Sequence, residues 1–103
     1  MDYKLSVSTD AHNDIDEIIN YIACELSNPQ AAKDFLDDVH SSYCTVVKNP
    51  FMYSLCDDER LRREGYRKIV IKNFLILYRA DEHKKLVSVV RIVYSARNYA
   101  EFI

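Results

Sequence analysis

The 103-residue chain contains one glycine, two prolines, three cysteines and no tryptophan. A single glycine cannot build a Gly-rich phosphate cradle, and no Walker loop is present. Apolar runs are short. The longest, Phe74 to Tyr78, falls far below the ~20 residues a bilayer-spanning helix needs. The opening MDYKLSVSTD has neither a basic segment nor an apolar one of the kind a signal peptide uses, so a cytoplasmic protein is expected. Cys24, Cys44 and Cys56 have no short-spaced partner and are expected to be reduced, packing as small hydrophobes. His12, His40 and His83 are scattered, without the nearby Cys or His that a zinc site requires. No motif calls for a metal or a cofactor.

What the chain has in quantity is apolar and charged residues. Hydrophobic residues make up 49%, which suits one globular domain over residues 1–103 and disfavours disorder. Net charge is −2, yet it is unevenly spread. Residues 1–64 carry thirteen acids against six bases, and residues 65–103 carry three acids against eight bases. A local positive field of this kind attracts anions whatever the total.

Periodicity sets the order of elements. YKLSVS (residues 3–8) alternates as a short strand. Thr9 and Asp10 can cap a helix whose stripe is Ile15, Ile18, Ile19, Ile22 and Leu26, ending near Ser27 ahead of Pro29. Asn28 and Pro29 then form a cap and first turn for a second helix through Ala32, Phe35, Leu36, Val39, Tyr43, Val46 and Val47, closed by Asn49-Pro50. Two helices so closely joined form an antiparallel hairpin. Residues 49–65 read as a polar loop in which DDERLRRE is a solvated charge run or a turn of helix.

From Gly65 the period becomes two. YRKIVIK, FLILYRA and KLVSVVRIVY are three β-branched and aromatic strands, with turns at Lys72-Asn73 and Asp81–Lys84. NYAEFI fits a short final helix or strand. The fold class is α+β: strand–helix–helix–strand–strand–strand, the helix hairpin packed on one face of a twisted, largely antiparallel sheet.

Each late strand carries one arginine, Arg67, Arg79 or Arg91, in step with aliphatic neighbours. Brought into register, they would form a guanidinium cluster on an apolar floor, rimmed by Tyr94, Arg97 and Tyr99. Such a surface suits RNA or an acidic protein segment. Alternatively, each arginine snorkels from a strand edge to pair with helix carboxylates. Phosphodiester cleavage would also need a proton acceptor, and no histidine lies in the C-terminal cluster. The residues alone name no reaction.

The segments DIDEIINYI, LSNPQAAKDFLDDV, GYRKIVIKNFLILYRAD and VVRIVYSARNY, in that order, resemble the RelE/ParE superfamily of toxins from bacterial type II toxin–antitoxin modules. The resemblance runs nearly end to end. It implies growth inhibition held in check by a cognate antitoxin that orders on binding; with apolar runs so short, no membrane partner is expected. It leaves two targets. Ribosome-dependent mRNA endonucleases of RelE type usually have an arginine after the aromatic that opens the middle hairpin strand, where this chain has Leu75 after Phe74. They also often have a histidine or lysine near Tyr94 or Ser95 and a basic residue at Ala96. Arg67, Arg97 and Tyr99 fit the nuclease pattern, and with Tyr94 they would be its catalytic residues. ParE-type members poison DNA gyrase and show no nuclease constellation. The departures favour the ParE side, in which Arg67, Arg79, Arg91 and Arg97 form a binding surface. An inactive, antitoxin-binding relative is a third reading.

Overall fold

The computed structural model describes residues 2–95 and 98–103, and for residue 102 the main chain only. Strand β1 (Lys4–Val7) leads into helix α1 (Thr9–Asn20), which widens into a π-helical turn over Tyr21–Glu25. Helix α2 (Pro29–Lys48) follows, then the short α3 (Glu59–Arg63) and strands β2 (Arg67–Ile71), β3 (Phe74–Asp81) and β4 (Leu86–Tyr94), with a 3-10 turn at Tyr99–Phe102. The sheet order is β1-β4-β3-β2, with β1 parallel to β4 and the other pairs antiparallel. This is the expected α+β architecture. No helix among the described residues is long and apolar enough to cross a membrane.

The caps explain the helix boundaries. Ser8, one residue before the expected cap, takes the amide of Ala11 on its hydroxyl, and that hydroxyl donates to Val90 O. One side chain thus starts α1 and ties it to β4. Asn28 accepts from Ala31 N and Pro29 opens α2, as the sequence predicts. Asp58 caps α3 through Leu61 N, so the DDERLRRE run does form a turn of helix.

The apolar stripe of α1 departs from its spacing at the π turn. There the Leu26 amide bonds to Tyr21 O, five residues back, and the wider turn shifts the stripe's phase. Leu26 is therefore 56% exposed, while Ala23 packs toward the core. Ser27, at φ 50°, reverses the chain into α2. At the hairpin, Lys72 rather than Asn73 takes the positive φ, at 52°.

Both sheet faces are covered. On one, Phe35, Val39 and Val46 of α2 and the isoleucines of α1 pack on Ile69, Ile71, Ile76, Tyr78, Val87, Val89 and Ile92. On the other, Leu75, Leu77 and Val93 pack against Cys56, Leu61, Tyr66, Tyr99 and Ile103. Arg60 of α3 latches this second cluster, donating to Ala100 O at 2.9 Å and Ile103 O at 2.7 Å. Only Cys56 of the three cysteines is buried. Cys24 and Cys44 are exposed, contrary to their expected packing, and burial pushes the Cys56 thiol up, away from the reactive thiolate.

Candidate functional site

Between the π turn, the start of α2 and the far end of β3–β4 runs a groove of about 840 Å³. Phe35, Ile22 and Phe74 are among the apolar side chains lining it, and Tyr21, Leu26 and Tyr94 stand exposed along it. Tyr94 meets Phe74 edge-on at 5.8 Å, and Phe74 meets Phe35 at 5.2 Å, so the aromatic lining is braced from within. Glu17 and Lys72 add charges of opposite sign. A groove of this character suits a protein segment presenting apolar side chains.

Asp14 and Arg91 also line it, and they answer why a core strand carries a guanidinium. Strand β1 pairs with β4 only as far as Val89. Beyond that point the β4 edge would be open. Asp14 closes it, accepting from Ile92 N at 3.0 Å and from Arg91 Nε and Nη2 at 2.8 and 2.9 Å. Opposite β3, Leu77 pairs with Arg91 and Tyr78 with Val89, so Val90 is an extra bulged residue that breaks the strand's alternation. Arg91 therefore reaches the helix carboxylate, and the pair holds the Arg91 guanidinium above its ordinary pKa.

The other sequence-predicted arginines do not join it. Arg67 lies at the start of β2, in register with Tyr78, and its Nη1 donates to Tyr53 O at 2.6 Å and Phe51 O at 3.3 Å. Arg79 stacks on Tyr66, with Cζ 5.0 Å from the ring centroid, and Tyr66 packs against the second cluster. Tyr99 packs on that same cluster, away from Tyr94 in the groove. Arg97 lies outside the described residues. The expected cluster of Arg67, Arg79 and Arg91 is thus dispersed: each of these three has a separate local partner, and for Arg91 this is the helix carboxylate of the alternative reading. Among the described residues no group of three His, Cys, Asp or Glu side chains could hold a metal ion.

Sequence reasoning missed Tyr21 and Leu26, because a regular helix places Leu26 in the core. It also missed Phe51 and Met52, for which two adjacent large apolar residues in a polar loop were the available signal.

Among solved structures the fold is similar to several toxins. It matches the chromosomal ParDE system of P. aeruginosa at a TM-score of 0.69 and 19% identity, over 89% of this chain and 95% of that one. A free mutant form of E. coli RelE gives 0.71 at 12% identity, over 99% and 93%. The RelBE2 toxin–antitoxin complex of Mycobacterium tuberculosis gives 0.64 at 16%, over 91% and 99%. No curated protein sequence matches significantly. Residues 5–99 match the family described as the ParE toxin of the type II toxin–antitoxin system parDE, and the chain belongs to that family.

Proposed function

We propose that this toxin arrests growth in the cytoplasm by binding an essential target, DNA gyrase, and not by cutting RNA. The observation that carries the reading is the state of Leu75. It occupies the position where nuclease members of the superfamily are expected to have an arginine. Here it is 6% exposed, within an apolar cluster that α3 and the Tyr99–Ile103 segment cover. A phosphodiester-cleaving face needs exposed cations and a proton acceptor. None of the three histidines belongs to the elements packed on this face. Arg67, Arg79 and Arg97 are the proposed target contacts. The Nε and Nη2 donors of Arg67 have no partner among the described residues. Arg91, committed to Asp14, holds the groove's shape.

The cognate antitoxin would lie in the groove, setting apolar side chains against Tyr21, Leu26 and Tyr94, with a base near Glu17 and an acid near Lys72. Solved relatives captured as toxin–antitoxin complexes support such a partner. Charges of both signs beside apolar residues would give the segment a fixed direction.

Pulse labelling after controlled induction without antitoxin tests the target. The expected result is an early fall in thymidine incorporation while methionine incorporation continues, with supercoiling by purified gyrase inhibited by the toxin. Early collapse of methionine incorporation, with transcripts cut on ribosomes and cutting lost in the Arg67→Ala/Arg97→Ala variant, would instead establish the RelE-type nuclease.

A further inference from the structure

At the end of the molecule away from the groove, four side chains from distant parts of the chain form a continuous surface stack. Lys85, before β4, lies over the ring of Tyr3 with Nζ 5.4 Å from the centroid. Tyr3 meets Phe51 edge-on, with centroids 6.2 Å apart and planes at 87°. Arg67 covers Phe51 with its Cζ at 5.3 Å. Phe51 is 48% exposed and its neighbour Met52 is 59% exposed, both in the loop between α2 and α3. Two carbonyl bonds from Nη1 fix the Arg67 guanidinium, leaving the donors of Nε and Nη2 without a partner among the described residues.

From this arrangement we infer a second docking surface, formed by Lys85, Tyr3, Phe51, Met52 and Arg67, that takes an acidic, aliphatic-bearing extended segment of a partner protein. Two cations flank exposed apolar side chains, which is the complement of carboxylates flanking a Leu or Ile. The three contact distances place the cations within roughly 17 Å, a span that about five residues of extended chain cover. Nucleic acid fits less well, because base stacking needs open ring faces. Here each ring already has a cation on one face, and the perpendicular contact between Tyr3 and Phe51 covers more. Arg67 supplies the bidentate fork for a carboxylate, and Lys85 supplies a movable point charge.

The test is a titration of the purified chain, labelled at its methionine methyl groups, with the peptide acetyl-Gly-Glu-Leu-Asp-Leu-Glu-Gly-amide. Its counterpart with glutamine and asparagine replacing the acids, and a short oligothymidylate, serve as controls. The acidic peptide is expected to shift the Met52 methyl resonance. Its binding should weaken with added salt and about three- to fivefold in Lys85→Gln, a substitution of an exposed side chain whose fold is checked by thermal melting. A Met52 resonance that does not move would overturn the inference. So would equal binding of the neutral peptide, tighter binding of the oligothymidylate, or unchanged affinity in Lys85→Gln. Arg67 is shared with the proposed gyrase contacts, but none of these readouts depends on growth arrest or on the antitoxin, so failure here leaves standing the gyrase reading, which is carried by Leu75.

Discussion

Asp14 and Arg91 are joined across 77 residues of sequence by two hydrogen bonds of 2.8 and 2.9 Å, and the same carboxylate accepts the amide of Ile92. The side chains are 11% and 24% exposed, so the pair is shielded from water on most sides. Its role is to terminate a sheet edge that β1 is too short to cover. Removing one partner takes two charge-assisted hydrogen bonds from a shielded charge, which costs more than losing an exposed ion pair.

Asp14→Ala is therefore expected to destabilise the protein by about 3 kcal/mol, since it removes two charge-assisted hydrogen bonds from the guanidinium and orphans the Ile92 amide. Arg91→Ala should cost less, because Asp14 still receives an amide. Asp14→Leu with Arg91→Met should recover part of the loss and no more. Chemical denaturation of these variants checks the losses, and adding Asp14→Ala/Arg91→Ala to the wild type and the two alanine variants completes a double-mutant cycle. Additive effects would show that the pair contributes no coupling.

Two tyrosines on the helix side of the sheet should respond oppositely to losing their hydroxyls. Tyr78 is fully buried and donates to Pro50 O at 2.8 Å, whereas the buried Tyr43 hydroxyl has no partner among the described residues. Tyr78→Phe should cost about 1–2 kcal/mol, and Tyr43→Phe should be neutral or stabilising by about 1 kcal/mol. Equal losses in urea denaturation would contradict the assignment.

The same hydroxyls set the alkaline limit. Burial pushes both up to about 12 from the ordinary 10. Between those values the folded chain keeps protons that the unfolded chain has released, so stability is fully present below pH 10 and falls as pH rises toward 12. Either Phe substitution should flatten that fall, measured as melting temperature against pH. An unchanged slope in both variants would refute it.

Leu75→Arg restores the side chain expected of a nuclease, but on this chain it places a charge in a dry cluster. We expect a loss of about 3 kcal/mol and no gain of RNA cleavage. A stable variant that cuts ribosome-bound transcripts would reopen the enzymatic reading.

Tyr21→Ala in the groove should move stability by no more than about 0.5 kcal/mol, because the ring is already largely solvated. Antitoxin affinity should fall by about 2 kcal/mol, roughly thirtyfold. Calorimetric titration with unchanged affinity would remove Tyr21 from the interface.

The fold was legible wherever local signals agreed. Asn28-Pro29 marked one helix start, and the period-two runs after Gly65 marked the strands. The misreadings came where one extra residue shifts a phase. The π turn moves Leu26 out of the core stripe, and the bulge at Val90 breaks the alternation that would have aligned Arg91 with its neighbours. Neither leaves a mark in residue type. The second cluster was hidden differently: Cys56 and Leu61 lie inside or beside a charge run, and their burial follows from a sheet face that only tertiary structure defines. The partner of Arg91 was a carboxylate among many on the first helix, and no spacing rule reaches across the intervening chain.

The parallel pairing of β1 with β4 bears on when the molecule can form. Its first strand is completed by its last, so Lys4 must wait for Leu86 and Val7 for Val89. Asp14 likewise waits for Arg91. Closing so long a loop is entropically costly and comes late in folding. On the ribosome, the helix hairpin emerges well before its sheet and must remain without a platform until β4 has cleared the exit tunnel. Synthesis through β4 therefore precedes completion of the sheet, leaving an interval in which a partner already present can meet the chain as it forms.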